Sequence, residues 1–301
     1  MFDVIIVGGG PAGLSAALVL GRCRRRVLLC DAGQQRNRAS HAMHGFLSRD
    51  GINPHDFLED ARQQLKPYDT VETCPVEVGS IEATSGKFTA TLSNGSSVTS
   101  RKLILASGIV DDIPDIVGLS QLYGRSVHHC PYCDGWEWRD QPIAVYGRGE
   151  SGRDLALEMT LWSRDLLLCT DGDVLSPKDH DLLKASGIEV REAKIGRLKG
   201  SEGMLEEIIF VTGEKVGRQA MFFATGQHQP SDLARNLGCC LNEKHEIEVG
   251  INGETATTGL YIAGDASFDV QLVVLAAAEG AKAACAINKE LMKEERMGSQ
   301  I

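Results

Sequence analysis

Short apolar runs without polar alternation recur along the chain: Val4-Ile5-Ile6-Val7, Val27-Leu28-Leu29-Cys30, Leu103-Ile104-Leu105-Ala106, Ile143-Ala144-Val145-Tyr146, Asp165 to Cys169, Met221-Phe222-Phe223-Ala224 and Leu260-Tyr261-Ile262. Runs of this kind predict strands buried on both faces of a parallel sheet. Helices are predicted between them, over Leu14 to Leu20, Phe57 to Leu65, Asp154 to Trp162 and, rich in small residues, from about Gln271 to Leu291. Two stretches differ. Residues 69–100 and 188–223 break into short apolar and polar bursts with turn signals such as Asn94-Gly95, the pattern of a β-meander. Residues 34–55 are a polar and basic loop, in which Arg36, Asn37, Arg38 and His44 either reach a ligand or are simply solvated. The pattern breaks near Ile113-Pro114 to Gly118, where a domain boundary is expected, and the charged tail Lys293 to Ile301 is expected to fray.

The strand-to-helix transitions carry glycine at fixed offsets. Gly8, Gly10 and Gly13, with Pro11 and Ala12 between, follow the first strand, and Asp31 ends the second strand about 20 residues on. Gly8 permits a tight turn, Gly10 lets backbone approach a pyrophosphate, Gly13 lets helix and strand pack closely, and the acid suits a ribose hydroxyl. Gly147, Gly149 and Gly152 repeat the turn after Tyr146. The strand, glycine turn, helix and strand therefore occur twice, an internal repeat of a dinucleotide-binding unit.

A length of 301 residues suits two such domains. Composition is that of an ordinary globular protein, and the net charge of −10 argues against a nucleic-acid or anionic-membrane surface. The one dense basic run, Arg22, Arg24, Arg25 and Arg26, reads as a solvated helix end. Met1-Phe2-Asp3 runs straight into a strand without the basic region of a signal peptide, and no stretch reaches the roughly 18–20 apolar residues of a membrane span. Nine cysteines, an odd number scattered through the chain, are not a secreted disulfide framework and point to a reducing cytoplasm.

Candidate chemistry gathers in Cys130-Pro131-Tyr132-Cys133-Asp134-Gly135. A thiolate is the reactive species, so one of these cysteines needs nearby positive charge, which His128 and His129 can supply. Asp134 cannot lower a thiol pKa; it suits a proton donor or acceptor. The rival for His128, His129, Cys130 and Cys133 is a metal, but structural zinc needs a second separated ligand pair, and Cys239-Cys240 is adjacent rather than spaced, so no metal is expected. The remaining cysteines, Cys23, Cys30, Cys74, Cys169, Cys239, Cys240 and Cys285, read for nearly all as small core hydrophobes. Trp136 and Trp138, at alternating spacing, read either as strand packing or as a docking surface.

The order of these motifs, with Ala106-Ser107-Gly108, Ala224-Thr225-Gly226 and Ala263-Gly264-Asp265, resembles the thioredoxin reductase-like flavoproteins, the low-molecular-weight branch of the pyridine nucleotide-disulfide oxidoreductases, over nearly the whole chain. The resemblance implies an α/β fold of two three-layer Rossmann-like nucleotide-binding domains, the second inserted into the first: a flavin domain of residues 1–117 and 230–301, and a pyridine-nucleotide-type domain of residues 118–229 carrying the dithiol. It implies FAD along Gly8 to Gly13, with Asp31 on the adenosine ribose, Val78, Ala106, Gly108 and Gly264 lining the cofactor, Asp265 on the ribityl chain, and Gln271 and Leu272 near the flavin ring. It implies that Cys133 faces the flavin, that Cys130 exchanges with an outside disulfide, and that the protein is a homodimer acting on a thioredoxin-like protein or a small-molecule disulfide or dithiol.

Two departures bear on function. NADPH-using relatives end the second strand of the second unit in arginines, whereas this chain has Leu168-Cys169-Thr170-Asp171-Gly172. Asp171 repels a 2′-phosphate and suits NADH, so the donor is NADPH, NADH or neither. Gln271-Leu272-Val273 replaces the usual Arg-Gln-Ala. These losses resemble FAD-dependent dithiol oxidases, which pass electrons from a dithiol to oxygen and need no nicotinamide; Asp134, where those relatives often carry histidine, favours the reductase. A flavin-binding sensor without turnover is the third reading, and the intact dithiol counts against it.

Overall fold

The computed structural model describes residues 1–84, 86–240, 247–267 and 270–298. The chain opens with β1 (Phe2–Val7), α1 (Pro11–Arg22) and β2 (Val27–Cys30), then α2 (Pro54–Leu65), β3 (Val71–Cys74), β4 (Val78–Thr84), β5 (Lys87–Leu92) and β6 (Ser97–Leu105). These strands form one sheet in the order β3-β2-β1-β6-β5-β4. The β1–β2, β2–β3 and β1–β6 pairs are parallel, while β4 and β5 add an antiparallel meander. Val4, Ile5 and Ile6 are fully buried, as a strand covered on both faces must be.

The two-residue β7 (Val110–Asp111) leads out of this sheet. Then come β8 (Val127–His128), α3 (Pro131–Asp134), β9 (Ile143–Gly147), α4 (Gly149–Glu158), β10 (Leu166–Cys169), α5 (Pro177–Ala185), β11 (Glu189–Arg191), β12 (Ile195–Ser201), β13 (Met204–Phe210), β14 (Lys215–Gly217) and β15 (Ala220–Ala224). A second sheet, β11-β10-β9-β15-β8, is parallel throughout. One apolar cluster joins one of its faces to the antiparallel β12-β13-β14, and another joins the opposite face to α4 and α5. The chain returns through β16 (Gln227–His228), which pairs antiparallel with β7, then α6 (Leu233–Asn236), β17 (Leu260–Ile262) and α7 (Val273–Gly298). β17 rejoins the first sheet parallel to the C-terminal half of β6. The fold is thus two Rossmann-like domains, the second inserted into the first.

Helix α7 lies across α1 at backbone contact: a Cβ placed on Gly280 would stand 2.0 Å from the Ala12 carbonyl oxygen. The small residues noted along this helix serve that approach.

Several expectations need correction. Helix α4 starts at Gly149 rather than Asp154, because three of the first four residues are Gly149, Ser151 and Gly152, whose weak helix propensity hides the turn from pattern reading. It ends at Glu158, with a single 3-10 turn over Met159–Leu161. The tail does not fray at Lys293. Helix α7 runs on to Gly298, the last residues described, because Glu294 and Glu295 pair with Arg101 and Glu295 also with Arg25. Arg25 is accordingly part of a structural clamp, not a solvated helix end. Trp136 and Trp138 lie on turns after α3, not on a strand. Cys30, Cys169 and Cys239 are buried, but Cys23, Cys240 and Cys285 are exposed. Burial pushes the Cys30 and Cys169 thiols up to about 12, which keeps them protonated and unreactive.

Candidate redox site

The first glycine turn is a cradle that only glycine can form. A Cβ on Gly8, whose φ is +112°, would lie 2.1 Å from the Ala106 carbonyl oxygen, and one on Gly13 would lie 1.9 Å from the Gly8 carbonyl oxygen. Strand, turn, helix and the end of β6 are therefore in backbone contact. In front of Gly10 there is open space to 4 Å. Pro11 is the first residue of α1, no side chain caps the helix and no acid lies in its first turn, so its free amides and dipole face that space. Asp31 stands beside the turn, accepting from the Gly33 amide, Gln35 and Arg62. Gly264 packs against Ala12, and Gly108 (φ +66°) borders open space. A dinucleotide pyrophosphate fits this cradle on shape and on charge. Val78 is a buried residue of β4 in the apolar layer beside Ile81 and Phe88, and Leu272 is half-buried just before α7.

Beyond the cradle sits a group the sequence left undecided. Arg36 donates to both oxygens of Asp111, to Asp265 at 2.9 Å and to Gln271 at 2.8 Å. Burial opposes its charge, but Asp111 and Asp265 outweigh that and hold the guanidinium above its ordinary range. Gln271 and Gln227 exchange amide hydrogen bonds. Asp111 and Gln227 carry no motif; pairing of β7 with β16 brings them to Arg36, and only the echo of Ala106-Ser107-Gly108 in Ala224-Thr225-Gly226 hints at it. His44 reaches instead toward Asp50 and Glu137.

Cys130 and Cys133 form a disulfide. Cys130 is the N-cap of α3, and its sulfur accepts the Cys133 amide at 3.1 Å, a contact that favours a thiolate there when the bond opens. His129 does not supply positive charge: burial, then Arg36, lower its pKa, so it is neutral at pH 7. It is fixed by Tyr123, 3.3 Å away, whose hydroxyl is pushed up to about 12 by burial and by Asp111. His128 is buried. The Trp138 indole N–H, a donor only, points to its Nε2 at 3.1 Å. The ring proton is thus on Nδ1, which lies 3.3 Å from Asp134. Trp138, half-buried, sets a histidine that sets the candidate proton carrier, while Trp136 is 65% exposed with Arg139 stacked on it.

A cavity of about 740 Å³ joins these parts. Its wall includes Asp265, Gln271, Asp111, His129 and Pro131, so the residues expected along the flavin and the start of the dithiol helix face one space. Ser151 and Asp154 of α4 line it as well.

At the second glycine turn the close packing recurs: a Cβ on Gly152 would lie 2.3 Å from the Gly147 carbonyl oxygen. Asp171 accepts from Tyr146 at 3.0 Å, Arg148 at 2.9 Å and the Ile195 amide at 3.0 Å. Burial, then Asp171, push the Tyr146 hydroxyl up to about 12. Among the described residues no group of three or more metal-ligating side chains is gathered, and no helix is long and apolar enough to cross a membrane.

Residues 2–280 match the family described as "Pyridine nucleotide-disulphide oxidoreductase". A "Probable thioredoxin reductase" of Arthroderma benhamiae is 32% identical over 329 residues, covering 97% of this chain and 81% of the relative. Among solved structures, HlmI superposes with a TM-score of 0.94 at 35% identity, covering 99% of this chain and 95% of its own. An oxidoreductase from Agrobacterium tumefaciens superposes with a TM-score of 0.90 at 32% identity, covering 97% and 98%.

Proposed function

The chain belongs to the pyridine nucleotide-disulphide oxidoreductase family, and on that premise we propose that this thioredoxin reductase-like oxidoreductase exchanges electron pairs with a partner through Cys130 and Cys133, beside FAD held along α1. The observation that carries the reading is the position of the dithiol helix on the wall of a cavity shared with Asp265 and Gln271.

FAD, when bound, supplies a two-electron donor or acceptor next to the dithiol. Gly10 and the first amides of α1 would hold its pyrophosphate, Asp31 would take the adenosine-ribose hydroxyls, and Asp265, neutralised by Arg36, and Gln271 would orient the remainder. In exchange, the Cys130 thiolate attacks a partner disulfide and one partner thiolate leaves. Cys133 then attacks the Cys130 sulfur, the enzyme disulfide re-forms and the second partner thiolate departs. Two electrons pass to the partner, and Asp134, held by His128, supplies or removes the protons as sulfur changes state. The same steps reversed convert a partner dithiol to a disulfide. That direction, a dithiol oxidase with oxygen as final acceptor, is the second reading, and the carboxylates at the second glycine turn favour it. The partner is a thioredoxin-like protein or a small-molecule disulfide or dithiol.

The test is the pair of single-cysteine variants. Cys133→Ser retains yellow flavin, loses disulfide turnover and traps the partner on Cys130; Cys130→Ser traps nothing. Undiminished turnover in Cys133→Ser rules the relay out.

A further inference from the structure

The two glycine turns share a spacing but not a conformation, Gly10 being extended and Gly149 left-handed (φ +51°), and they differ at the place where a phosphate would sit. Gly10 and Gly149 each face open space on their Cβ side. At α1 no carboxylate lies in the first turn and no side chain caps the helix. At α4 the Gly149 amide donates to Asp173 Oδ2 at 2.9 Å, and Glu150 lies in the first turn. Asp173 is no wandering surface group. Its own amide donates to the Thr170 carbonyl at 3.1 Å, and the Thr170 hydroxyl donates back to the Asp173 carbonyl. Thr170 is fully buried. The turn leaving β10 is thereby tied into a shape that presents the carboxylate to α4.

The remaining polar groups of this turn are spoken for. Arg148 is paired with Asp171, whose other oxygen takes the Ile195 amide. Arg153 pairs with Asp154 and Asp179, both at 2.8 Å, and lies 3.8 Å from Glu150. Two guanidinium groups, with Lys178 near Asp179 and the Lys194 stem over Gly172, thus face five carboxylates: Glu150, Asp154, Asp171, Asp173 and Asp179. A dinucleotide brings two further negative charges to this place, and a 2′-phosphate would bring more.

We propose that the second nucleotide-binding fold is closed to pyridine nucleotides by its own chain: Asp173 occupies the anion seat on the Gly149 amide, and the carboxylates around it repel a second anion. The fold survives as a platform for the dithiol, and the second of the two directions given above is selected: reducing equivalents enter as a partner dithiol, which leaves as a disulfide while Cys130–Cys133 takes up its two electrons and two protons. This inference rests on the family membership above, and its exclusion part is independent of the role given to Cys130.

The test uses the FAD-loaded protein without oxygen. Isothermal titration with NADH and with NADPH, each to about 1 mM, gives no saturable heat for the native protein. Asp173→Ala, which frees the Gly149 amide, and Asp173→Asn, which keeps an acceptor there but removes the charge, bind NADH at least about tenfold more tightly than the native limit. NADPH lags behind NADH while Asp171 remains. Saturable binding of either nucleotide by the native protein below about 100 μM overturns the proposal, and so does the absence of any gain in both variants. A parallel sample with dithiothreitol keeps the two claims apart. Flavin bleaching that needs Cys130 and Cys133 supports the relay; failure to bleach removes the relay and dithiol entry while the exclusion of nucleotide stands on the titration.

Discussion

Replacing Arg36 by methionine tests whether the junction around the cavity is held by charge. Arg36 and Asp111 make paired contacts with side-chain exposures of 14% and 4%. Methionine keeps much of the apolar stem and removes the partner, leaving Asp111 buried. Removing one member of a buried pair costs about 3–5 kcal/mol, because the other charge is stranded. Asp265, more exposed at 21%, adds little. At about 2–4 °C per kcal/mol, the FAD-saturated protein should lose about 6 °C or more in its unfolding midpoint at pH 8. Asp111→Asn should cost less, since Arg36 keeps Asp265 and Gln271. In the double variant no charge is stranded, so its loss should fall well short of the sum of the singles. His129 supplies a second signature. In the native protein burial and then Arg36 keep it neutral; without Arg36, the nearby Asp111 favours its proton. The Arg36→Met deficit should therefore shrink between pH 8 and pH 6. Additive losses, or a deficit that is the same at both pH values, would refute the reasoning.

Other consequences follow from the same contacts. The folded pKa of His129 lies below its ordinary value of 6.5, so its neutral form stabilises the fold above that pH; this contribution is lost as pH falls through the folded value, and His129→Asn should flatten that limb of a midpoint-against-pH curve. Gly13→Ala drives a methyl into the Gly8 carbonyl, 1.9 Å away, and should cost about 1–3 kcal/mol and yield protein without visible flavin absorbance. Trp138→Phe removes the donor that fixes His128; a hydrogen bond worth about 0.5–1.5 kcal/mol predicts exchange slowed about two- to tenfold with a displaced pH profile, whereas unchanged exchange and profile would leave Trp138 a packing residue only. Ending the chain after Met292 deletes Glu294 and Glu295 while Lys102, nearly buried, keeps Glu290, and urea unfolding should show a loss of about 1–2 kcal/mol.

What was legible in the sequence was local. The buried strands announce themselves because parallel strands are apolar on both faces, and the glycine turns because close packing excludes every other side chain. Cys133 and Asp134 sit on one short helix that Cys130 caps, so their proximity needs no tertiary information. What was missed depends on distant partners. Arg36 looked like any loop cation because its partners lie at Asp111, Asp265 and Gln271, between 75 and 235 residues away. The positive charge expected from His129 fails for the same reason: burial and an arginine from another segment decide its state. The tail looked frayed because acid-rich ends usually are; here Arg25, Arg101 and Lys102 receive it.

The paired glycine turns show where such local reading ends. Glycine at the first and last positions of each turn reports that backbone meets backbone, and in both turns a Cβ there would stand only 1.9 to 2.6 Å from another backbone atom. It says nothing of what faces the helix amides. That is decided by the turn leaving the next strand. After β2, Asp31 turns to Gly33, Gln35 and Arg62, and the amides of α1 stay clear of side chains. After β10, a residue 24 positions beyond Gly149 returns its carboxylate to that amide. The same six-residue spacing thus supports one open cradle and one self-filled cradle. Ligand preference in a duplicated fold of this kind is therefore carried less by the glycines than by the two or three residues that follow the second strand. On the proposal above, the choice of electron donor in this chain lies at Asp171 and Asp173, away from the dithiol.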